Sequence, residues 1–460
     1  MNIPKIIQNQ RQFFSIGATK EFKFRQEQLK LLAEIIETND QRILDALKAD
    51  MQKPAIEAYG SEILIVLSEI KYVLKHLKSW IKPQKVPTPL TQFIASSYIY
   101  TEPVGVILII SPWNYPFQLA IAPLIGAIAA GNCAVIKPSE YAPHTSALLA
   151  ELIGKHFDPQ YITVVEGEVE ASQALLAEKF DHIFFTGGTE VGRIVMGAAA
   201  KHLTPVTLEL GGKSPAIIDA DCDLDLAVKR MIWGKFFNAG QTCIAPDYVL
   251  VHESVKSRVV VKIKHYLQEF YGDQPQTSPD YARIINHRQF DLLMGLLNEI
   301  DPAQILIGGQ SDRSTLYLAP TIVEIPEQQT TTKLMQEEIF GSILPILTYT
   351  DLNEAIAFIN AKPRPLALYF FSNNKQHQDR IIKEISFGGG CMNDTIMHLS
   401  TPELPFGGIG NSGIGSYHGK ASFDTFSHRK SILKKSFLFD LKWRYPPYTI
   451  SLKWMKKLLN

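Results

Sequence analysis

Between Val104 and about residue 210 the chain alternates short apolar runs with helical stretches, and no other feature restricts its fold as much. VGVILII at 104–110 leads into a helical stretch ending at Ala130, then CAVIK at 133–137, a helical stretch from His144, YITVVEG at 161–167, HIFFTG at 182–187, a helix from Glu190 and PVTLEL at 205–210. Repeated strand and helix units of this kind predict a parallel sheet covered by helices on both faces, the doubly wound α/β arrangement, in which ligands bind at the carboxyl ends of the strands. After Gly211 and Gly212 a second α/β run opens with SPAIID and continues to about residue 400. Upstream, residues 20–80 read as helix, with Leu29, Leu32, Ile35, Ile36 and Ile43 at helical spacing, and TQFIASSYIYTEP alternates like an extended arm. The apolar stretch Leu119–Ile136 falls short of a membrane span and is broken by Pro123, Gly126, Gly131 and Asn132, so it reads as a buried helix, a turn and a buried strand.

Bulk composition excludes more than it selects. Lys plus Arg equals Asp plus Glu at 46 each, so the whole-chain charge gives no argument for nucleic acid or for an acidic partner, and no nucleic-acid partner is expected. Four cysteines stand far apart without a CxxC pair, which argues against a zinc site and a disulfide framework and fits a reducing, cytoplasmic compartment. The opening residues lack the charged start and uninterrupted apolar run expected of an export signal. From Arg429 onward, however, nine Lys or Arg face one acid, Asp440. The last segment places Leu452, Met455 and Leu459 on one helical face with Trp454 beside them, and Trp443 lies upstream. This basic amphipathic pattern suits either an anionic membrane surface or docking on the protein itself.

Reactive side chains gather at strand ends. Asn114, in Ser111-Pro112-Trp113-Asn114-Tyr115-Pro116, stands where VGVILII stops; its amide suits an oxyanion or, equally, a helix cap. Lys137 and Glu140 follow CAVIK and suit ribose hydroxyls, while Gly187, Gly188 and Gly192 open a helix whose N–H groups suit a pyrophosphate. Both groups also read as ordinary turns. Glu209, in Leu208-Glu209-Leu210-Gly211-Gly212-Lys213, is a carboxylate at the change of domain able to activate water. Cys243, after Gly240-Gln241-Thr242, is either a nucleophile in an open turn or a small core residue. A GxGxxG at Gly408–Gly413 lacks the strand and helix of a dinucleotide fingerprint and reads as a glycine-rich loop near the site.

Taken together, PWNYP, KPSE, FTGGTEVG, LELGGKSP, GQTC, EEIFG and LPFGG, in this order, resemble the aldehyde dehydrogenase superfamily over nearly the whole chain. Cys243-Ile244-Ala245-Pro246-Asp247-Tyr248, Phe426-Ser427-His428-Arg429 and Arg444-Tyr445-Pro446-Pro447-Tyr448 are similar to its class 3 branch of dimeric fatty-aldehyde and aromatic-aldehyde enzymes. The resemblance implies Cys243 as nucleophile, Asn114 as oxyanion donor and Glu209 as general base. It implies Trp113, Lys137, Glu140, Gly187, Gly188, Gly192, Glu338 and Phe340 as cofactor contacts, with no metal. It implies a Rossmann-like cofactor domain over 1–81 and 105–209, a catalytic domain over 210–410, a β oligomerisation arm over 82–104 and 411–440, and a tail over 441–460. The expected activity is NAD(P)-dependent oxidation of medium- or long-chain aliphatic, or aromatic, aldehydes through a thiohemiacetal and a thioester. Glu140 opposes a 2′-phosphate, which favours NAD, with NADP left open. A homodimer with peripheral membrane contact through the tail is expected. Gly188 and Ser342 depart from the Ser and Pro usual at those places. The alternatives are a coenzyme A-acylating or reductive use of the same thioester, a cysteine hydrolase using His252, and a nucleotide-binding structural protein.

Overall fold

The computed structural model describes residues 2–458 apart from 93, 439 and 450. The predicted alternation forms a six-stranded sheet from β1 (Val106–Ile110), β2 (Cys133–Lys137), β3 (Ile162–Val164), β4 (His182–Thr186), β5 (Val206–Glu209) and a short edge strand, Gly413–Ile414. Across the sheet the order is Gly413–Ile414, β5, β4, β1, β2, β3, with β1 to β5 parallel and the edge strand antiparallel. Every residue of β1, β2 and β4 is buried, as expected of strands covered on both faces. The chain winds from β1 to β3 in one direction and then crosses to β4 on the other side of β1. The crevice between the carboxyl ends of β1 and β4 is therefore the switch point where such sheets bind ligands.

Leu119–Ile136 is resolved as expected into a buried helix, Gln118–Ala130, a left-handed Gly131 and β2. The second α/β run forms a seven-stranded sheet in the order 305–307, 321–324, 343–349, 248–252, 215–218, 367–371, 389–392, parallel except for its first pair. Residues 20–80 are helical but not one helix: Phe22–Thr38, Asp40–Met51 and Ile65–Trp80 are joined through Ala55–Ala58 and a wide π turn, Tyr59–Leu64.

The arm is a three-stranded antiparallel sheet of Gln84–Val86, Ala95–Pro103 and Ser427–Lys435. Assigning 411–440 to the arm as a whole is too broad. Gly413–Ile414 pairs with β5, and the helix Gly419–Thr425 packs on Gln118–Ala130, so among the described residues of that stretch the strand of the arm is Ser427–Lys435. The cause is the glycine-rich loop, whose bare backbone can lie directly against a strand edge. At the far end a helix spans Leu452–Leu458 with Leu452, Trp454 and Met455 exposed. Leu459 and the side chain of Trp443 lie outside the described residues. Among the described residues no helix is long and apolar enough to cross a membrane.

Candidate active site

The carboxyl ends of β1, β4 and β5, the N-terminal helical region around Pro54–Ser68 and several loops of the second run line a cavity of about 860 Å³. Trp113, Asn114, Gly187, Gly188, Glu209, Cys243, Glu338 and Phe340 all line it, although they span 228 positions of sequence. Trp113 and Phe340, from opposite sides, meet edge to face with ring centroids 5.2 Å apart. Lys137, Glu140 and Gly192 stand outside the lining. Lys137 ends β2, beside the Ser111 turn that follows β1, and its Nζ donates to the Pro138 carbonyl at 2.8 Å and to Glu140 Oε2 at 3.1 Å.

Cys243 is held by an unusual turn. Asn238, Ala239 and Gly240 all have left-handed φ, at 54°, 54° and 76°. Glycine is required at 240 for a second reason: a Cβ there would collide with the Gly341 carbonyl oxygen of the EEIFG segment. Gln241 ties the turn to its surroundings, donating to the Asn238 and Arg283 carbonyls and accepting from the Ile285 N–H. Thr242 shares a 2.6 Å hydrogen bond with Tyr115 of the β1 loop. Asn114 Nδ2 donates to the Gln241 carbonyl at 3.0 Å, which uses one of its two hydrogens and leaves the other for a ligand.

Glu209 is buried at the end of β5, and neither carboxyl oxygen has a hydrogen-bond partner. Its backbone is fixed on both sides, since the Gly187 N–H donates to its carbonyl at 3.0 Å and Gly413 pairs with it from the edge strand. The GxGxxG segment thus acts as a backbone buttress beside Glu209, in keeping with its reading as a loop near the site.

Burial opposes the charged forms of Cys243, Glu209 and Glu338. It pushes the Cys243 thiol up to about 12, with the nearby Glu338 and Glu209 carboxylates adding to the effect. Burial alone lifts Glu209 well above the carboxylate range. Glu338 is raised to about 8 by burial and then Asp247, opposed by the Gly212 N–H and the cations Lys213 and Lys235.

The EEIFG segment is anchored by Lys213, which pairs with Asp247 and donates to the Leu334 and Glu337 carbonyls, while Asp247 accepts from the Ile339 N–H. Ser342, the departure noted above, donates to the Ala239 carbonyl and accepts from Tyr281, so it binds EEIFG to the Cys243 turn. Gly188 starts its helix with φ of −71° and nothing near a hypothetical Cβ, so its lack of a side chain is not enforced by packing.

Several contributors escaped sequence reading. Glu57 lines the cavity, accepts the Asn238 N–H at 2.6 Å and is raised to about 7, first by burial. Gln241 belongs to the GQTC motif, but its role in tying the turn depends on Arg283 and Ile285, far from it in sequence. Lys53 and Glu62 carried no local signal at all. His252 hydrogen-bonds Ser254 at the end of its own strand, so the geometry does not make it a partner for Cys243.

The residues present suit a dinucleotide. Ser111 Oγ and Thr186 Oγ1, at the ends of the adjacent strands β1 and β4, are buried without partners, and Glu209 and the glycine turn after β4 open on the same crevice.

Two α/β sheets with a cavity at their strand ends define a class of nucleotide-dependent oxidoreductases, and the aldehyde dehydrogenase family pattern matches residues 1–432. The chain belongs to the aldehyde dehydrogenase family. It is 51% identical over 444 residues to 4,4'-diaponeurosporen-aldehyde dehydrogenase of Staphylococcus aureus, covering 96% of each chain. It is 48% identical over 448 residues to the dimeric NADP-preferring aldehyde dehydrogenase of Canis lupus familiaris, covering 97% of this chain and 98% of the other. A solved structure of Staphylococcus aureus AldH in a substrate-bound state superposes with a TM-score of 0.97 at 49% identity, covering 100% of both chains.

Proposed function

We propose that this aldehyde dehydrogenase oxidises apolar aldehydes with NAD or NADP through a thioester on Cys243. The Cys243 sulfur bonds to the aldehyde carbon as the thiol proton passes to solvent water, and the free amide hydrogen of Asn114, with the Cys243 N–H, receives the oxyanion. When bound, the oxidised nicotinamide supplies the hydride acceptor. Reformation of the carbonyl with loss of hydride leaves the thioester. Glu209, as carboxylate, takes a proton from the water that attacks it, which releases the acid and restores the thiol. Trp113, Gly187, Gly188, Glu338 and Phe340 hold the cofactor in the crevice, with Lys137 and Glu140 at the adenosine ribose. The observation carrying this reading is the convergence of Cys243, Asn114 and an unpartnered Glu209 on one cavity.

Leu119, Trp233, Phe237, Ile396 and Leu399 line the same cavity and favour medium- or long-chain aliphatic aldehydes, or aromatic ones. The half-buried strand Ala95–Pro103 favours a homodimer closed over the arm, in line with the dimeric relative. The exposed Leu452, Trp454 and Met455 among Lys453 and Lys456 favour a cytoplasmic enzyme that rests its tail on an anionic membrane.

The test is NADH formation with aldehydes from acetaldehyde to hexadecanal and with benzaldehyde, for wild type and Cys243→Ala, with NADP in parallel. Turnover that rises with chain length and vanishes in the variant is expected. Equal turnover by Cys243→Ala, or none with any aldehyde despite cofactor binding, rejects the mechanism.

A further inference from the structure

We infer that Lys53 and Glu62, which belong to none of the motifs, are positioning residues that aim the Asn114 amide; the inference rests on the oxyanion role proposed for Asn114. Their side chains are wholly buried and paired, with Lys53 Nζ 2.5 Å from Glu62 Oε1. The two ends of this pair grip the two ends of one loop. On one side Lys53 Nζ lies 4.0 Å from the Tyr115 ring centroid and donates to the Asn114 carbonyl at 3.3 Å. On the other, Glu62 Oε2 accepts the N–H groups of Phe117 and Gln118 at 3.0 and 3.1 Å. These belong to the start of the helix Gln118–Ala130, whose own N-cap residue supplies no side-chain bond.

A carboxylate is well suited to that helix start, where the orphan N–H groups and the dipole both favour negative charge. The Asn114 carbonyl also accepts Asn238 Nδ2 at 2.9 Å, and the Asn114 amide reaches across to the Gln241 carbonyl. Asn114 is thus held at its backbone by Lys53 and at its side chain by the Cys243 turn. Lys53 follows the helix Asp40–Met51 by two residues, and Glu62 sits in the wide turn Tyr59–Leu64. The pair therefore couples the N-terminal helices to the orientation of one amide hydrogen.

A buried ion pair is a poor way to gain stability, since apolar replacements of the whole pair are often as stable. Its use here is directional. Two opposite charges joined at one point fix both ends of a loop whose middle carries the donor, and a displacement of about 1 Å in such a donor can cost about 10²-fold in rate.

The test compares Lys53→Met/Glu62→Gln, which removes both charges together and strands neither, in wild-type and Asn114→Ala backgrounds. In the wild-type background kcat is expected to fall by about tenfold or more, with NADH affinity unchanged by fluorescence titration. In the Asn114→Ala background the same pair should cost less than about twofold further, because interactions acting through one group are not additive. Glu62→Asp keeps both charges but is one methylene short of its partners, and should show the same non-additivity; it decides the question if the doubly neutral variant does not fold. Wild-type kcat in these variants, or equal losses in both backgrounds, overturns the positioning role. Wild-type kcat in Asn114→Ala instead rejects the oxyanion role itself, and the clamp with it, while leaving the Cys243 chemistry to stand on its own variant.

Discussion

Replacing Glu209 by Gln isolates the hydrolytic half of the reaction. Both carboxyl oxygens are buried and unpartnered, so Gln occupies the same volume and breaks no hydrogen bond. The loss of a positioned base should lower kcat by about 10²–10⁴-fold, equivalent to about 3–5.5 kcal/mol in the barrier. Acylation does not need this carboxylate. Stopped-flow mixing should therefore give a burst of NADH equal to the Cys243 content and then a slow phase, with the acyl adduct visible by intact mass. The charged form is the base, and burial raises the pKa well above its ordinary 4.5, so deacylation-limited turnover of the wild type should rise with pH through that raised value. The variant should lose that limb. Stability gives a second check. The folded state holds this proton more tightly than the unfolded state, so the group's contribution is fully present below about 4.5 and is lost as pH rises through the folded value. Gln does not titrate, and Glu209→Gln should match the wild type in thermal midpoint at acid pH and exceed it at alkaline pH. Wild-type turnover without a burst would refute the assignment. A burst with the pH limb intact would place the base elsewhere.

Gly240→Ala should lower the thermal midpoint by several degrees, since a left-handed Ala costs about 1–2 kcal/mol and its Cβ collides with a backbone carbonyl; an unchanged midpoint by calorimetry contradicts the turn described. A Cβ at Gly211 would displace the Glu338 carboxylate, so Gly211→Ala should raise the KM for cofactor and leave alkylation of Cys243 by iodoacetamide at its wild-type rate. Glu140→Gln should shift kcat/KM toward NADP by about fivefold, the worth of about 1 kcal/mol from one partly exposed charge; no shift removes Glu140 from cofactor choice. Deleting 441–460 should weaken binding to phosphatidylserine vesicles in a salt-dependent manner, each lost cation contributing about 1 kcal/mol, and equal sedimentation of both forms rejects the tail as an anchor.

Much was legible in sequence because the signals are local. Continuous apolar runs such as VILII and CAVIK mark strands covered on both faces, and Cys243, Glu209 and Asn114 each sit beside glycines or prolines that end an element. What the sequence by itself determined was thus the order of strands and helices, the doubly wound class and, through the family resemblance, the candidates for the reacting groups. Only the tertiary structure decided that β1 and β4 are neighbours, that Gly413 rather than a helix borders Glu209, and that EEIFG closes on the Cys243 turn. It alone brought Lys53 and Glu62 beneath Asn114. The reason is range: periodicity and turn chemistry act over a few residues, whereas a buried ion pair or a strand neighbour depends on the packing of segments far apart in the chain, and leaves no mark in the local pattern of either one.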